Sequence, residues 1–269
     1  MREDLALPVR TNGGRGSGAD GTSRTPANMM IPVLHEEMDL LVVEKPAGIH
    51  TIPDLGERLI QIYPELRGIK DCGAVHRLDR ETSGLVVFAR NQETYEALRR
   101  AFSGNEVTKE YLALVEGSIT EGGKIDWPIG PDPKSSKRVK VYKNLKEARR
   151  HKAQEAVTSY IPLLTKEGLG EVERTTWLKI TIRTGRRHQI RAHLAAIAHP
   201  IVGDPLYQGR PTPRLSLHAS RVRFPHPRTG QTVNVTSSRI SFGESPKAPE
   251  SPPSEGPSSS KSRGPRRRR

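Results

Sequence analysis

Acidic residues, aromatics and cysteine are all scarce in this chain, and each shortage removes a class of explanation. Only 30 Asp+Glu stand against 44 Lys+Arg, so the net charge is +14 and the isoelectric point lies near 10.1. A balance this basic points to a polyanionic partner, of which nucleic acid is the commonest. A lone cysteine, Cys72, excludes an intramolecular disulfide framework and a cysteine-based zinc ribbon. That fits a reducing compartment, the cytoplasm. No apolar run approaches the roughly 20 residues needed to span a bilayer, and the opening residues lack the apolar stretch of a secretory signal. Aromatics make up 4% and hydrophobic residues 33% of 269 residues, which is lean for a globular chain. Part of the sequence is therefore expected to stay unfolded.

The low-complexity segments lie at the two ends. Residues 1–30 are rich in Gly, Ser, Thr, Asn and Arg without periodicity and read as a disordered leader. Residues 244–269 read as a disordered basic tail, Pro/Ser-rich and closing on four arginines. From Ser245 this tail holds seven Lys/Arg and two Asp/Glu, so most of the positive charge belongs to the intervening 31–243. Its densest stretch is Lys134–Lys152, nine Lys/Arg opposed only by Glu147, which reads either as a solvated basic loop or as a phosphate-contacting surface.

Between these ends the pattern is α+β. Short apolar runs at Asp39–Val43, Leu85–Ala89, Tyr111–Val115 and Trp177–Ile182 predict strands, with later ones at Leu215–Ala219 and Val233–Thr236. Asn91 as N-cap, Tyr95, Leu98 and Phe102 at helical spacing and Gly104 as C-cap predict a helix. A second helix follows Thr184-Gly185, with Ile190, Leu194 and Ile197 on one stripe, and ends at His199-Pro200. Strands outnumber helices and the connections are too short for repeated βαβ crossovers. The reading is a mixed, mostly antiparallel central sheet with flanking helices and a cleft.

Several chemistries are unsupported. There is no G-x-S-x-G elbow. Gly117–Lys124 is out of register for a phosphate loop and reads as a hairpin connection. His188 and His193 are five apart, not on one helix face, and no H-E-x-x-H pattern accompanies them, so no metal is expected. Two constellations remain. In His76-Arg77-Leu78-Asp79-Arg80-Glu81-Thr82-Ser83-Gly84 one carboxylate sits between two arginines. Positive neighbours favour the ionised form of a carboxylate, which suits a nucleophile better than a general acid; the plainer alternative is a turn cap or a surface pair with Arg80. In Thr184-Gly185-Arg186-Arg187-His188-Gln189-Ile190-Arg191 a small-residue turn opens a helix, with Arg187 and Arg191 one turn apart, suited to an anion or carboxylate.

HRLDRETSGLVVFAR resembles the segment around the nucleophilic aspartate of the RluA-type pseudouridine synthases. The resemblance extends, in the family's order, to DLLVVEKPAGIHT (Asp39–Thr51), TKEYLALVEG (Thr108–Gly117), TGRRHQIRAHLAAIAHPIVGDPLY (Thr184–Tyr207) and LHAS before Arg221. It implies the pseudouridine synthase fold and isomerisation of uridine in ribosomal or transfer RNA. Asp79 would act as nucleophile, by attack at C1′ or by assisting uracil departure. Tyr111 would lie beneath the uracil and Arg191 would pair with Asp79. His76, Arg77, His188 and Gln189 would contact the substrate. Lys45 and Pro46 would be structural, and Asp204 would serve a turn or cap. No cofactor is implied. A stand-alone catalytic unit lacking the S4 RNA-binding domain of many relatives is expected, as a monomer.

Overall fold

The computed structural model describes residues 30–166 and 174–237; of the proposed leader (1–30) and tail (244–269) all but Met30 lie outside the described residues. Strands β1 (Val33–Glu36), β2 (Leu40–Lys45), β3 (Ser83–Ala89) and β4 (Thr108–Glu116) come first, with helices α1 (Gly56–Ile60) and α2 (Gln92–Ser103) among them. There follow β5 (Gly123–Ile125), β6 (Ile129–Asp132), β7 (Ser135–Val141), α3 (Leu145–Arg150), β8 (Thr158–Lys166) and β9 (Thr175–Ile182). Helix α4 (Gln189–Ala196), β10 (Leu217–Pro225) and β11 (Thr232–Thr236) close the order.

Nine strands form the main sheet, in the order β1-β2-β3-β10-β4-β9-β8-β5, with β11 also on β10; β6 and β7 form a separate hairpin. Only β3 and β10 run parallel among the described pairs, so the fold is α+β with a mixed, mostly antiparallel sheet. That parallel contact depends on Gly84, at φ +117°, where a Cβ would collide with the Ala219 backbone. The central strands β2 and β3 are buried on both faces and read as unbroken apolar runs. In β4 burial alternates, which puts Lys109, Tyr111, Ala113 and Val115 on one face. Helix α2 begins where expected, the Asn91 side chain accepting from Thr94 N–H at 2.9 Å.

Three readings change. The Gly117–Lys124 stretch is no hairpin connection: it leaves β4 in the middle of the sheet and enters β5, which pairs with β8 at the edge. Lys134–Lys152 is not a loop but β7 and α3. Arg187 and Arg191 do not share a helix face, because α4 starts only at Gln189, after His188 at φ +50°.

A polar chain crosses the core where β2, β3 and β10 meet. Ser83 Oγ lies 2.9 Å from His218 Nδ1, His218 Nε2 3.0 Å from Ser237 Oγ, and Ser237 Oγ donates to Glu44 at 3.2 Å. Burial, with help from Arg214, pushes the His218 pKa down to about 4. The unfolded chain therefore binds a proton below pH ~6.5 that the folded chain refuses until about pH 4, so His218 erodes stability as pH falls through that window. Urea midpoints measured from pH 7 to pH 4 are expected to fall less steeply in His218→Gln than in the parent; parallel slopes would remove His218 from the acid response.

Candidate active site

Helix α4 is buried over Gln189–Leu194, so its one arginine enters the protein rather than the solvent. Arg191 is 4% exposed and Asp204 0%. Arg191 Nε donates to Asp204 Oδ2 at 2.7 Å and Nη2 to Oδ1 at 2.8 Å, a two-pronged pair. Asp204 Oδ1 also accepts from Leu206 N–H at 3.1 Å, so the turn role expected of it holds alongside a larger one. The remaining prong, Nη1, reaches Asp79 Oδ2 at 3.2 Å. Burial works against the guanidinium, but the hydrogen bonds and charges of Asp204 and then Asp79 more than offset it and raise its pKa.

Asp79 itself stands at the rim, its side chain 26% exposed. Its backbone is held from several sides. Thr82 N–H donates to Asp79 O at 3.1 Å, and Leu78 N–H donates to Thr51 Oγ1 at 3.1 Å. The fully buried Lys45 ammonium donates to the carbonyls of Pro46 (2.9 Å), Ile49 (2.8 Å) and Arg80 (3.1 Å). Desolvation brings the Lys45 pKa down to about 7, against the pull of Glu81 and Asp79. Arg80 is turned away to Gly48 O (3.0 Å) and Glu81 (3.7 Å), so the alternative of an Asp79–Arg80 surface pair does not hold.

Tyr111 is buried on β4, near enough to Asp79 that the carboxylate charge adds to burial in pushing its phenol pKa up. Next to it on the same face, Lys109 Nζ donates to Thr184 O at 3.2 Å and fixes the turn before α4; burial, then Arg186, lowers its pKa to about 8. His188 Nε2 lies 3.8 Å from Asp79 Oδ2, and its Nδ1 lies 3.2 Å from Tyr207 Oη. Burial lowers the His188 pKa in spite of Asp79, with Arg191 and Arg187 adding to the effect.

Of the expected site residues, the fold brings Asp79, Arg191, His188 and Tyr111 together and leaves Arg77 exposed nearby in sequence. Two have polar atoms engaged within the protein. Gln189 Oε1 accepts from Thr184 Oγ1 and Arg186 N–H, and its Nε2 donates to Val157 O and Thr158 Oγ1, so its polar atoms are spent on holding the 184–186 turn. His76 Nε2 accepts from Val87 N–H at 3.1 Å and the ring stacks on Phe102, its pKa pushed down to about 3 by burial, then by Lys109 and Arg99. His193 likewise serves packing, between Thr158 Oγ1 and Trp127 O. Tyr207 was missed. Its ring lies under the Arg191 guanidinium, 5.4 Å from centroid to Cζ, and its hydroxyl accepts from Val139 N–H at 3.0 Å. The GDPLY segment that carries it gave only a turn signal.

The rim carboxylate of Asp79, the buried Arg191–Asp204 pair behind it and the Tyr111 ring near it form one cluster. Residues 39–196 match the RNA pseudouridylate synthase family model, and the chain belongs to that family, in its RluA-type branch. It is an RNA pseudouridine synthase, an isomerase. It is 35% identical over 239 residues to ribosomal large subunit pseudouridine synthase D of Xanthomonas campestris, covering 80% of this chain and 68% of the relative. The enzyme of the same name from Haemophilus ducreyi is 32% identical over 232 residues, covering 77% and 67%. Among solved structures, human RNA pseudouridylate synthase domain containing 1 matches with a TM-score of 0.65 at 27% identity, covering 78% of this chain and 84% of that one. Human RNA pseudouridylate synthase domain containing 4 shares the fold, with a TM-score of 0.60 at 24% identity and coverage of 78% and 89%. No helix among the described residues is long and apolar enough to cross a membrane.

Tyr207→Phe keeps the ring under Arg191 and deletes the hydroxyl that Val139 and His188 share. The stranded Val139 amide is expected to cost about 1–3 kcal/mol in urea unfolding, with a drop in turnover of RNA labelled at uridine C5. Unchanged stability and turnover would show that the hydroxyl does nothing for the site.

Proposed function

We propose that the chain converts a uridine of large-subunit ribosomal RNA to pseudouridine, in the cytoplasm, with Asp79 as the nucleophile. The observation that carries this reading is the Asp79 carboxylate, half-open at the rim yet fixed at 3.2 Å to an arginine that a buried carboxylate already holds by two hydrogen bonds. The choice of RNA rests on the relatives, whose names assign them to the ribosomal large subunit.

The reaction exchanges the N1–C1′ bond for a C5–C1′ bond. Atoms balance within the nucleotide: the proton on C5 leaves and N1 gains one, so the chemistry calls for no redox partner. The uridine must first leave its stack, at a cost of a few kcal/mol. Stacking on Tyr111 returns about 1–3 kcal/mol, and the exposed Arg77 fills the space vacated in the RNA. Asp79 then meets C1′ as the glycosidic bond breaks. Arg191 aims the carboxylate, while the His188 ring beside it contacts the nucleotide. The released uracil turns over the Tyr111 ring and re-bonds through C5. Enclosure keeps it from escaping.

Asp79→Asn keeps shape and removes the charge. Tritium release from 5-³H-uridine ribosomal RNA is expected to fall to background while filter binding of the same RNA persists; near-parental release would end the assignment of Asp79.

A further inference from the structure

The nine Lys/Arg of 134–152 have little to do inside the protein. Arg138 pairs with Asp132 at 2.6 Å, Lys140 reaches Glu147 at 3.5 Å and Lys143 lies over the Trp127 ring at 4.4 Å. Lys134, Lys137, Lys146, Arg149, Arg150 and Lys152 are exposed and have no carboxylate partner among the described residues. Six unpaired cations on one hairpin and the short helix after it repel one another, a cost that a bound polyanion removes.

Placement tells which polyanion. The β6–β7 hairpin is tied to the turn that leads into the site: Arg187 donates to Ser136 O at 3.1 Å and Lys137 O at 2.6 Å, and Val139 N–H donates to the Tyr207 hydroxyl. Between hairpin and turn lies a cleft of about 470 Å³, with Ser135, Ser136, Arg138, Lys152, Arg186 and Arg187 in its lining. Arg187 adjoins His188, whose ring is 3.8 Å from Asp79, so cleft and catalytic carboxylate share one turn of chain. A polymer whose base sits at Asp79 continues past His188 into this cleft. The Ser136 hydroxyl and the unpaired Lys152 ammonium there suit phosphate oxygens, and Arg138, Arg186 and Arg187 add positive charge although each already has a partner within the protein.

We propose that the β6–β7 hairpin, α3 and the 185–187 turn form a clamp for the RNA backbone flanking the target uridine, gripping phosphates without reading sequence. This rests on the RNA activity stated above and assigns where the strand leaves the site. The clamp residues act on affinity, not on the chemical step. An acidic protein partner would need apolar anchors among the charges, and of the clamp's side chains only Leu145 is a large exposed hydrophobic.

The test compares Lys134→Gln/Lys137→Gln/Lys152→Gln, all at exposed positions on or beside the hairpin and α3, with the control Arg67→Gln/Lys70→Gln/Arg100→Gln, exposed side chains that belong to neither the hairpin, α3 nor the 185–187 turn. Binding of a large-subunit ribosomal RNA transcript is measured against salt in the catalytically silent Asp79→Asn background, and turnover in the Asp79 background. Each lost phosphate contact lowers the slope of log affinity on log salt by about 0.7–0.9. The clamp variant is expected to lose about two units of slope and to raise KM with kcat kept, and the control to match the parent. A parental slope in the clamp variant, an equal loss in the control, or a fall in kcat without a change in KM overturns the clamp. So does parental RNA binding combined with lost binding of polyglutamate, which would assign the patch to an acidic protein. If the parent itself binds no RNA, the ribosomal RNA reading fails instead.

Discussion

Everything at this site depends on one guanidinium being held still. Arg191 spends two of its three nitrogens on a carboxylate that no solvent reaches, and a pair of that kind is stiff because neither ion has anywhere else to go. Breaking such a pair by removing one partner typically costs about 3–5 kcal/mol, since the survivor is left buried and charged. The contact to Asp79 is a different matter: a single hydrogen bond at the rim, screened by water, weak as a stabiliser. Its value is directional. The buried pair pays for the geometry, and the exposed carboxylate is aimed by it.

The scaffold around that guanidinium shows how sequence becomes position. A lysine that is fully buried and pulled toward neutrality is an expensive way to hold three carbonyls, yet it joins the end of β2 to the residue after Asp79. On the other side Lys109 does the same for the turn before α4. Two buried ammonium groups thus fix the two segments whose side chains must meet, 112 residues apart in the chain. Gly84 completes the frame by letting β3 approach β10, so that the strand after the Asp79 turn lies one strand from Tyr111 on β4.

Much of this was legible in the residues. Strands β2, β3, β4 and β9 announced themselves as apolar or β-branched runs, and α2 carried both caps, because the signals for those elements are local. Local signals also failed in an instructive way. The expected shared face of Arg187 and Arg191 assumed that the helix began earlier; His188 adopts a left-handed backbone, and one residue outside the helix breaks the i, i+4 relation. Gln189 and His76 looked like substrate ligands by type and motif, but their partners, Thr158, Val157 and Val87, are set by tertiary packing that no spacing reveals. Tyr207 was hidden for the same reason: its hydroxyl meets a hairpin 68 residues earlier in the chain.

The central claim is that Asp204 serves catalysis only by way of Arg191. A double-mutant cycle on kcat for tritium release, with Asp204→Asn, Arg191→Lys and the pair combined, tests it most directly. The account predicts that the double variant is no slower than the slower single one. Losses that multiply, each variant harming the enzyme as if the other residue were intact, would contradict it.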